Sequence, residues 1–179
     1  MFTVLAPMED VTNSAFRRIV SRVARPDIFV TEFTNIEAIL HGVVDRLEYT
    51  PQEHPIIAQI WGKDPEKFCR AAKIVAEMGF DGIDINMGCP VKKVFKDGAC
   101  SAMIGNNTAV SEIISATQEG GKLPVSVKTR LGIKKIDTEN WIGFLLTQNL
   151  SAITVHGRTV SEMSKVPAHW DEIGKAVSL

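Results

Sequence analysis

Six short apolar segments recur along the chain, and each is followed by a stretch with helical periodicity. No other feature limits the possible folds as strongly. The segments are FTVLAPM (2–8), DIFVTEF (27–33), PIIAQIW (55–61), GIDINM (82–87), PVSVKTRL (124–131) and AITVHGR (152–158). Between them, NSAFRRIVSRVA (13–24) sets Phe16, Ile19, Val20 and Val23 at helical spacing, with Asn13 as N-cap. DPEKFCRAAKIVAEMG (64–79) opens on Asp64 as cap and Pro65 at the first helical position, and stops at Gly79. Helical patterns follow at 108–121 and 137–149, and DEIGKAVSL (171–179) begins another. Strand–helix alternation of this regularity predicts parallel βαβ units.

Two parallel architectures compete, and the side-chain alternation separates them. Successive residues of a strand point to opposite faces. Ile83, Ile85 and Met87 share one face, and Asp84 and Asn86 the other. Val125, Val127 and Thr129 oppose Ser126, Lys128 and Arg130; Ile153 and Val155 oppose Thr154, His156 and Arg158; Ile56, Ala58 and Ile60 oppose Gln59. A doubly wound sheet carries helices on both faces and is apolar on both. Neither G-x-G-x-x-G nor a Walker A pattern is present. A barrel has helices outside only and carries functional groups inward at its C-terminal mouth. The expectation is an α/β fold of the TIM (β/α)8 type, one domain over residues 1–179. A full barrel needs eight strands and about 250 residues. This one is therefore incomplete, with about six βα units and without units seven and eight.

Singly, a Lys or His at a strand end is most often solvated and a Gln most often structural. Gln59, Asn86, Lys128, His156 and Arg158 instead occupy the inward face of four strands, so they are expected to converge. NMGCPVKKVFKDGAC (86–100) follows one of those strand ends and places Cys89 in the loop at the mouth. Cys69 lies in a helical apolar stripe and reads as core packing, and Cys100 reads as structural. Lys92, Lys93 and Lys96 read as a solvated face or as contacts to RNA phosphates.

The net charge of −1 argues against a broad basic face, so any nucleic-acid contact is local. Three cysteines without paired or zinc-ligand spacing imply a reduced compartment and no metal site. The apolar run in MFTVLAPMED is too short for a signal peptide, and no run approaches a membrane span. These features predict a cytoplasmic protein.

The motifs LAPMEDVTNSAFRR (5–18), TEF (31–33), AQIWG (58–62), DINMGCPVKKVFKDGACSAMI (84–104), PVSVKTRLG (124–132) and ITVHGRT (153–159) run in one order along the chain. In these motifs it resembles the tRNA-dihydrouridine synthases, flavin-dependent TIM-barrel enzymes. The most specific piece is NxGCPxxKV followed by GxxSAxI. The resemblance implies NADPH-dependent reduction, through FMN, of a tRNA uridine to 5,6-dihydrouridine. It implies Pro7 and Met8 against the flavin ring, Gln59, Lys128 and His156 also on FMN, and Cys89 as proton donor. Asn86 and Arg158 would lie near the target uracil, and Lys92 and Lys93 near tRNA phosphates. An unperturbed thiol, with a pKa of about 8.5, is mainly protonated at pH 7 and suits a proton donor.

The sequence departs from the family's pattern at Glu9-Asp10, at Cys100 where a Gly is usual, and at Glu162, Ser164, Val166 and AHW (168–170). The family's phosphate-binding segments after strands seven and eight, and its C-terminal helical tRNA-binding domain, have no counterpart in this sequence. The expectation is weak FMN binding by this chain alone. Two other functions share its features: a flavin barrel acting on a free pyrimidine, such as a dihydroorotate or dihydropyrimidine dehydrogenase, and a non-catalytic RNA-binding fragment.

Overall fold

The inward and outward faces of the strands meet very different surroundings, and this sorts the architecture. A computed structural model describes residues 2–179. Its strands are β1 (Val4–Leu5), β2 (Ile28–Val30), β3 (Thr34–Asn35), β4 (Ile56–Trp61), β5 (Gly82–Met87), β6 (Val125–Arg130) and β7 (Ala152–His156). Every pairing is parallel, in the order β1-β2-β4-β5-β6-β7, and β3 extends the β2 side of the sheet by pairing with the end of β4. The order follows the chain without reversal. A doubly wound sheet would reverse at a switch point; a barrel would not. The expected incomplete barrel of six βα units is therefore what the chain forms.

Helices α1 (Ser14–Ala24), α2 (Ile36–Leu40), α3 (Pro65–Glu77), α4 (Lys92–Lys96), α5 (Asn107–Gly121), α6 (Thr138–Leu146) and α7 (Trp170–Ser178) follow the strands. Caps read from sequence are in place. Asn13 Oδ1 accepts from Phe16 N at 3.0 Å, and Asp64 Oδ1 from Lys67 N at 3.2 Å. The outward faces of the central strands, with Ile60, Ile83, Ile85, Met87 and Val127, are fully buried with Phe68, Ala71, Ala72 and Val75 of α3 and Ile113 of α5 in one core. α3 and α5 approach so closely that a Cβ on Gly120 would lie 1.9 Å from the Cys69 carbonyl oxygen. That packing explains the glycine pair at the end of α5. The left-handed cap falls on Lys122, at φ +53°, instead.

Several boundaries differ from the sequence reading. β1 stops before Pro7, which has no N–H to offer a ladder; the chain then turns, with the Met8 carbonyl accepting from Val11 N and Thr12 N. Residues 34–53, which carry no clear period, form β3, α2 and two 3-10 turns, at Asp45–Leu47 and Pro51–Glu53. The stripe assigned to α1 is only partly used. Ile19 and Val23 are 61% and 82% exposed, while Arg17 is buried.

The reason is a buried ion pair. Arg17 Nε donates to Glu53 Oε2 at 2.6 Å, with both side chains inaccessible. Arg17 also donates to the carbonyls of Thr12 and Glu48, each at 2.6 Å. Glu53 Oε1 accepts from Ser14 Oγ at 2.7 Å and Thr50 N at 2.9 Å. The pair thus pins the β1–α1 loop, which carries Pro7 toward the mouth. Breaking one side strands the other charge in a dry site. Glu53→Ala should cost about 3–5 kcal/mol, read as a fall in the urea midpoint, whereas the double variant Arg17→Met/Glu53→Met should recover most of that loss.

Candidate functional site

The register of β4, β5, β6 and β7 stacks the inward residues into rows. Gln59 is opposite Asp84, and Asp84 opposite Ser126. One step nearer the mouth, Asn86 is opposite Lys128, and Lys128 opposite Thr154. At the rim, Arg130 is opposite His156. The first row is joined by hydrogen bonds: Gln59 Nε2 and Ser126 Oγ each donate to Asp84 at 2.6 Å. Asn86 Nδ2 then donates to Gln59 Oε1 at 2.9 Å. Asn86 Oδ1 accepts from the backbone N–H groups of Gly88 and Cys89, both at 3.0 Å. An inward network thus reaches from β6 to the loop that carries the thiol.

Above these rows lies an open cavity of about 290 Å3. Pro7, Gln59, Asn86, Cys89, Lys128, Arg130 and His156 line it, with Glu9 and Phe33 at one side. It shares Pro7 and Lys128 with a second cavity of about 450 Å3 on the inner face of the sheet.

Cys89 is 9% exposed at this cavity. The neighbouring Cys100 thiol lowers its pKa to about 7, against the opposing effect of burial. The thiol is therefore more acidic than the ordinary one expected from the sequence, with a substantial thiolate fraction near pH 7. Cys100 is pushed strongly upward by the same contact and by burial, so it remains S–H. It also adopts φ +52°, the left-handed region that suits glycine. Its sequence reading as merely structural missed this contact.

The cations shape the rest of the site. Burial lowers the Lys128 pKa, and Asp84 opposes that. Burial likewise raises Asp84, while Ser126, Gln59 and Lys128 hold it down. Among the described residues, Lys128 Nζ has no hydrogen-bond or ion-pair partner, so its charge is available at the cavity. His156 is lowered to about 4, first by burial and then by Arg130, Lys128 and Arg158, so it is neutral at pH 7. Arg158 Nη1 lies 3.1 Å from His156 Nε2. Arginine only donates, so Nε2 accepts and the proton sits on Nδ1.

Of the residues singled out by sequence, Pro7, Gln59, Asn86, Cys89, Lys128 and His156 meet in one cavity. Met8 does not line it: it is 45% exposed, in the turn closed on Thr12. Arg158 does not reach it either. Its Nε donates to the Val166 carbonyl at 2.6 Å and braces the loop after β7. Lys92, Lys93 and Lys96 are exposed on α4, beside the Cys89 loop. Arg130 and Asp84 were not singled out, although they share the inward parity of Lys128 and Asn86. Arg130 Nε donates to the Gly88 carbonyl at 2.8 Å, and its Nη1 to Thr159 and Met163 carbonyls, tying the thiol loop to the loop after β7.

A sequence model of the dihydrouridine synthase (Dus) family matches residues 4–177. A "Probable tRNA-dihydrouridine synthase" of Staphylococcus aureus is 50% identical over 178 residues, 96% of this chain and 54% of the relative. A "Probable tRNA-dihydrouridine synthase 2" of Bacillus subtilis is 49% identical over the same span, 96% of this chain and 54% of its own length. The chain thus spans about half the length of the curated relatives it matches.

The thiol contact has a measurable consequence. Iodoacetamide labelling of Cys89, followed by peptide mass spectrometry, should rise with pH about a midpoint near 7. In Cys100→Gly, which suits the left-handed backbone, the midpoint should move up toward about 8.5. An unchanged midpoint would show that Cys100 does not tune Cys89.

Proposed function

Since this chain belongs to the dihydrouridine synthase family, we propose that it carries the catalytic portion of an enzyme that reduces a uridine of tRNA to 5,6-dihydrouridine. FMN is the proposed cofactor and NADPH the reductant. The observation that carries this reading is the meeting of a near-neutral thiol, Cys89, with the unpartnered ammonium of Lys128 and a neutral His156 in one cavity.

The donor set fits a flavin. A planar ring with polar edges and an anionic reduced form needs an apolar wall, fixed donors and a cation. Pro7 supplies the wall, the Asn86 and Gln59 amides and His156 Nδ1–H supply polar contacts, and Lys128 supplies the charge. FMN held by these residues would supply the hydride for C6 of the uracil. Cys89 then gives its proton to C5, leaving a thiolate that Cys100 S–H stabilises. A donor pKa near the working pH favours such a transfer. Gln59 is held at both ends of its amide by Asp84 and Asn86, so it meets the ring in one orientation. Arg158 acts by bracing the loop after β7 rather than by touching the base. The target base must leave its stack to enter the cavity, and Lys92, Lys93 and Lys96 lie where flanking phosphates would pass.

The reading is tested by supplying the protein with FMN, NADPH and an unmodified tRNA transcript and measuring dihydrouridine by nucleoside mass spectrometry. Cys89→Ala should slow single-turnover uridine reduction by roughly a hundredfold or more. Full uridine reduction by that variant would overturn the assignment. Turnover of free uracil or dihydroorotate in place of tRNA would point to the other flavin barrels, and tRNA retention by flavin-free protein without turnover to a binding module. Replacing Lys92, Lys93 and Lys96 with Gln should lower the salt dependence of tRNA binding by about 0.7–0.9 in log–log slope for each phosphate no longer neutralised. An unchanged slope would exclude a role for these lysines at the phosphates.

A further inference from the structure

Two of the three cysteines are neighbours, one at the cavity and one in the turn bonded to its loop. Cys100 is fully buried, in the 3-10 turn Cys100–Met103, and the protonation of each thiol depends on the other. The neighbouring Ser101 hydroxyl donates to the Cys89 carbonyl at 2.6 Å, which locks the turn onto the thiol loop. Cys89 faces an open cavity that a small molecule can enter, whereas Cys100 has no solvent access of its own. Neither is in a disulfide. Cys89 alone gives the proton; a second thiol beside it, at a left-handed position that favours glycine, opens a further chemistry.

We propose that Cys89 and Cys100 form a peroxide-sensitive dithiol, in which hydrogen peroxide oxidises Cys89 and Cys100 captures it as an intramolecular disulfide. In the first step the Cys89 thiolate attacks one peroxide oxygen. The O–O bond breaks, hydroxide leaves and is protonated to water, and Cys89 becomes a sulfenic acid. In the second step Cys100 sulfur attacks the Cys89 sulfur. The S–OH bond breaks, the Cys100 proton leaves with the hydroxide as a second water, and the S–S bond forms. Two thiols are oxidised by two electrons and one peroxide is reduced.

The shift at Cys89 runs in the direction the first step needs, whereas the upward shift at Cys100 opposes the second until the Cys89 thiolate that helps to cause it has become a neutral sulfenic acid. The accessible sulfur is the one with substantial thiolate, and the shielded one stays protonated until a sulfenic acid forms beside it. The disulfide removes the proton that Cys89 would donate and is reversible by thiols. Without Cys100, a sulfenic acid at Cys89 is open to further oxidation to the irreversible sulfinic acid. The device thus both silences and protects the same thiol. It does not depend on the flavin reading, because the chemistry belongs to the two thiols alone.

The test uses the purified protein without added cofactor, treated with hydrogen peroxide and then blocked, digested and analysed by mass spectrometry. The expected product is a cross-linked pair of peptides containing Cys89 and Cys100, which dithiothreitol separates. Cys100→Gly keeps the left-handed backbone, and Cys100→Ser is a second variant. In both the cross-link should vanish and Cys89 sulfinic acid should accumulate. Sulfinic acid at Cys89 of the unaltered protein with no cross-link would overturn the proposal. So would equal accumulation in the unaltered protein and both variants, or a cross-link through Cys69 in place of Cys100.

Discussion

The Asp84 carboxylate holds the site together. It sits on the inward face of β5 and accepts from β4 through Gln59 and from β6 through Ser126. A buried carboxyl is costly unless its lone pairs are filled, and here two donors and the nearby Lys128 counter part of the penalty of burial, which still raises its pKa. The same bonds orient the Gln59 amide, which orients Asn86, which holds the backbone of the Cys89 loop. A one-residue slip of any of these strands would turn its inward set to the helix side. The network therefore fixes register and site geometry together, and a single unsatisfied member would leave a buried polar group uncompensated.

Charge then sets the chemistry of the rim. Lys128, Arg130 and Arg158 crowd one side, and together with burial they keep His156 neutral. A cationic His156 would compete with Lys128 for an anion. A neutral one offers a directional Nδ1–H instead. Among the causes that lower Cys89, Cys100 is the largest, ahead of the Val91 backbone N–H and of Arg130. The thiol is thus tuned by a neutral donor, while Lys128 remains free to act on an anion in the cavity. Two different means of stabilising negative charge are kept on two different groups.

Much of this arrangement was legible in the sequence because a strand repeats every two residues. Parity alone put Asp84 with Asn86, and Ser126 with Lys128 and Arg130, and the structure keeps those sets on one face. Parity does not say how far a strand runs or where a long side chain goes. The reading of 152–158 as one strand carried Arg158 inward with His156, but β7 ends at His156 and Arg158 turns to the Val166 carbonyl. Met8, expected beside Pro7 from the resemblance, lies in the exposed turn closed on Thr12. The Cys89–Cys100 pairing joins distant positions of the loop and depends on a left-handed turn at a residue that is not glycine. The α1 stripe misled because a buried ion pair at Arg17 outweighed the apolar residues in fixing which side of the helix faces in.

The site's parts do not share the same support. β4, β5 and β6 are paired on both sides, and they carry Gln59, Asp84, Asn86, Lys128 and the loop of Cys89. Pro7 follows β1 and His156 ends β7, the two strands at the ends of the sheet. Apolar side chains remain uncovered beside those ends among the described residues, Ile19 and Val23 on α1 and Trp170 and Val177 on α7. An end strand has ladder groups without partners and opens more readily than a central one. The thiol and its hydrogen-bond network are therefore placed by interactions internal to this chain. Pro7 is held chiefly through the Arg17–Glu53 clamp on its loop, and His156 through Arg158 and the pairing of β7 with β6. Covering the sheet ends would tighten Pro7 and His156 and leave Cys89 where it already stands.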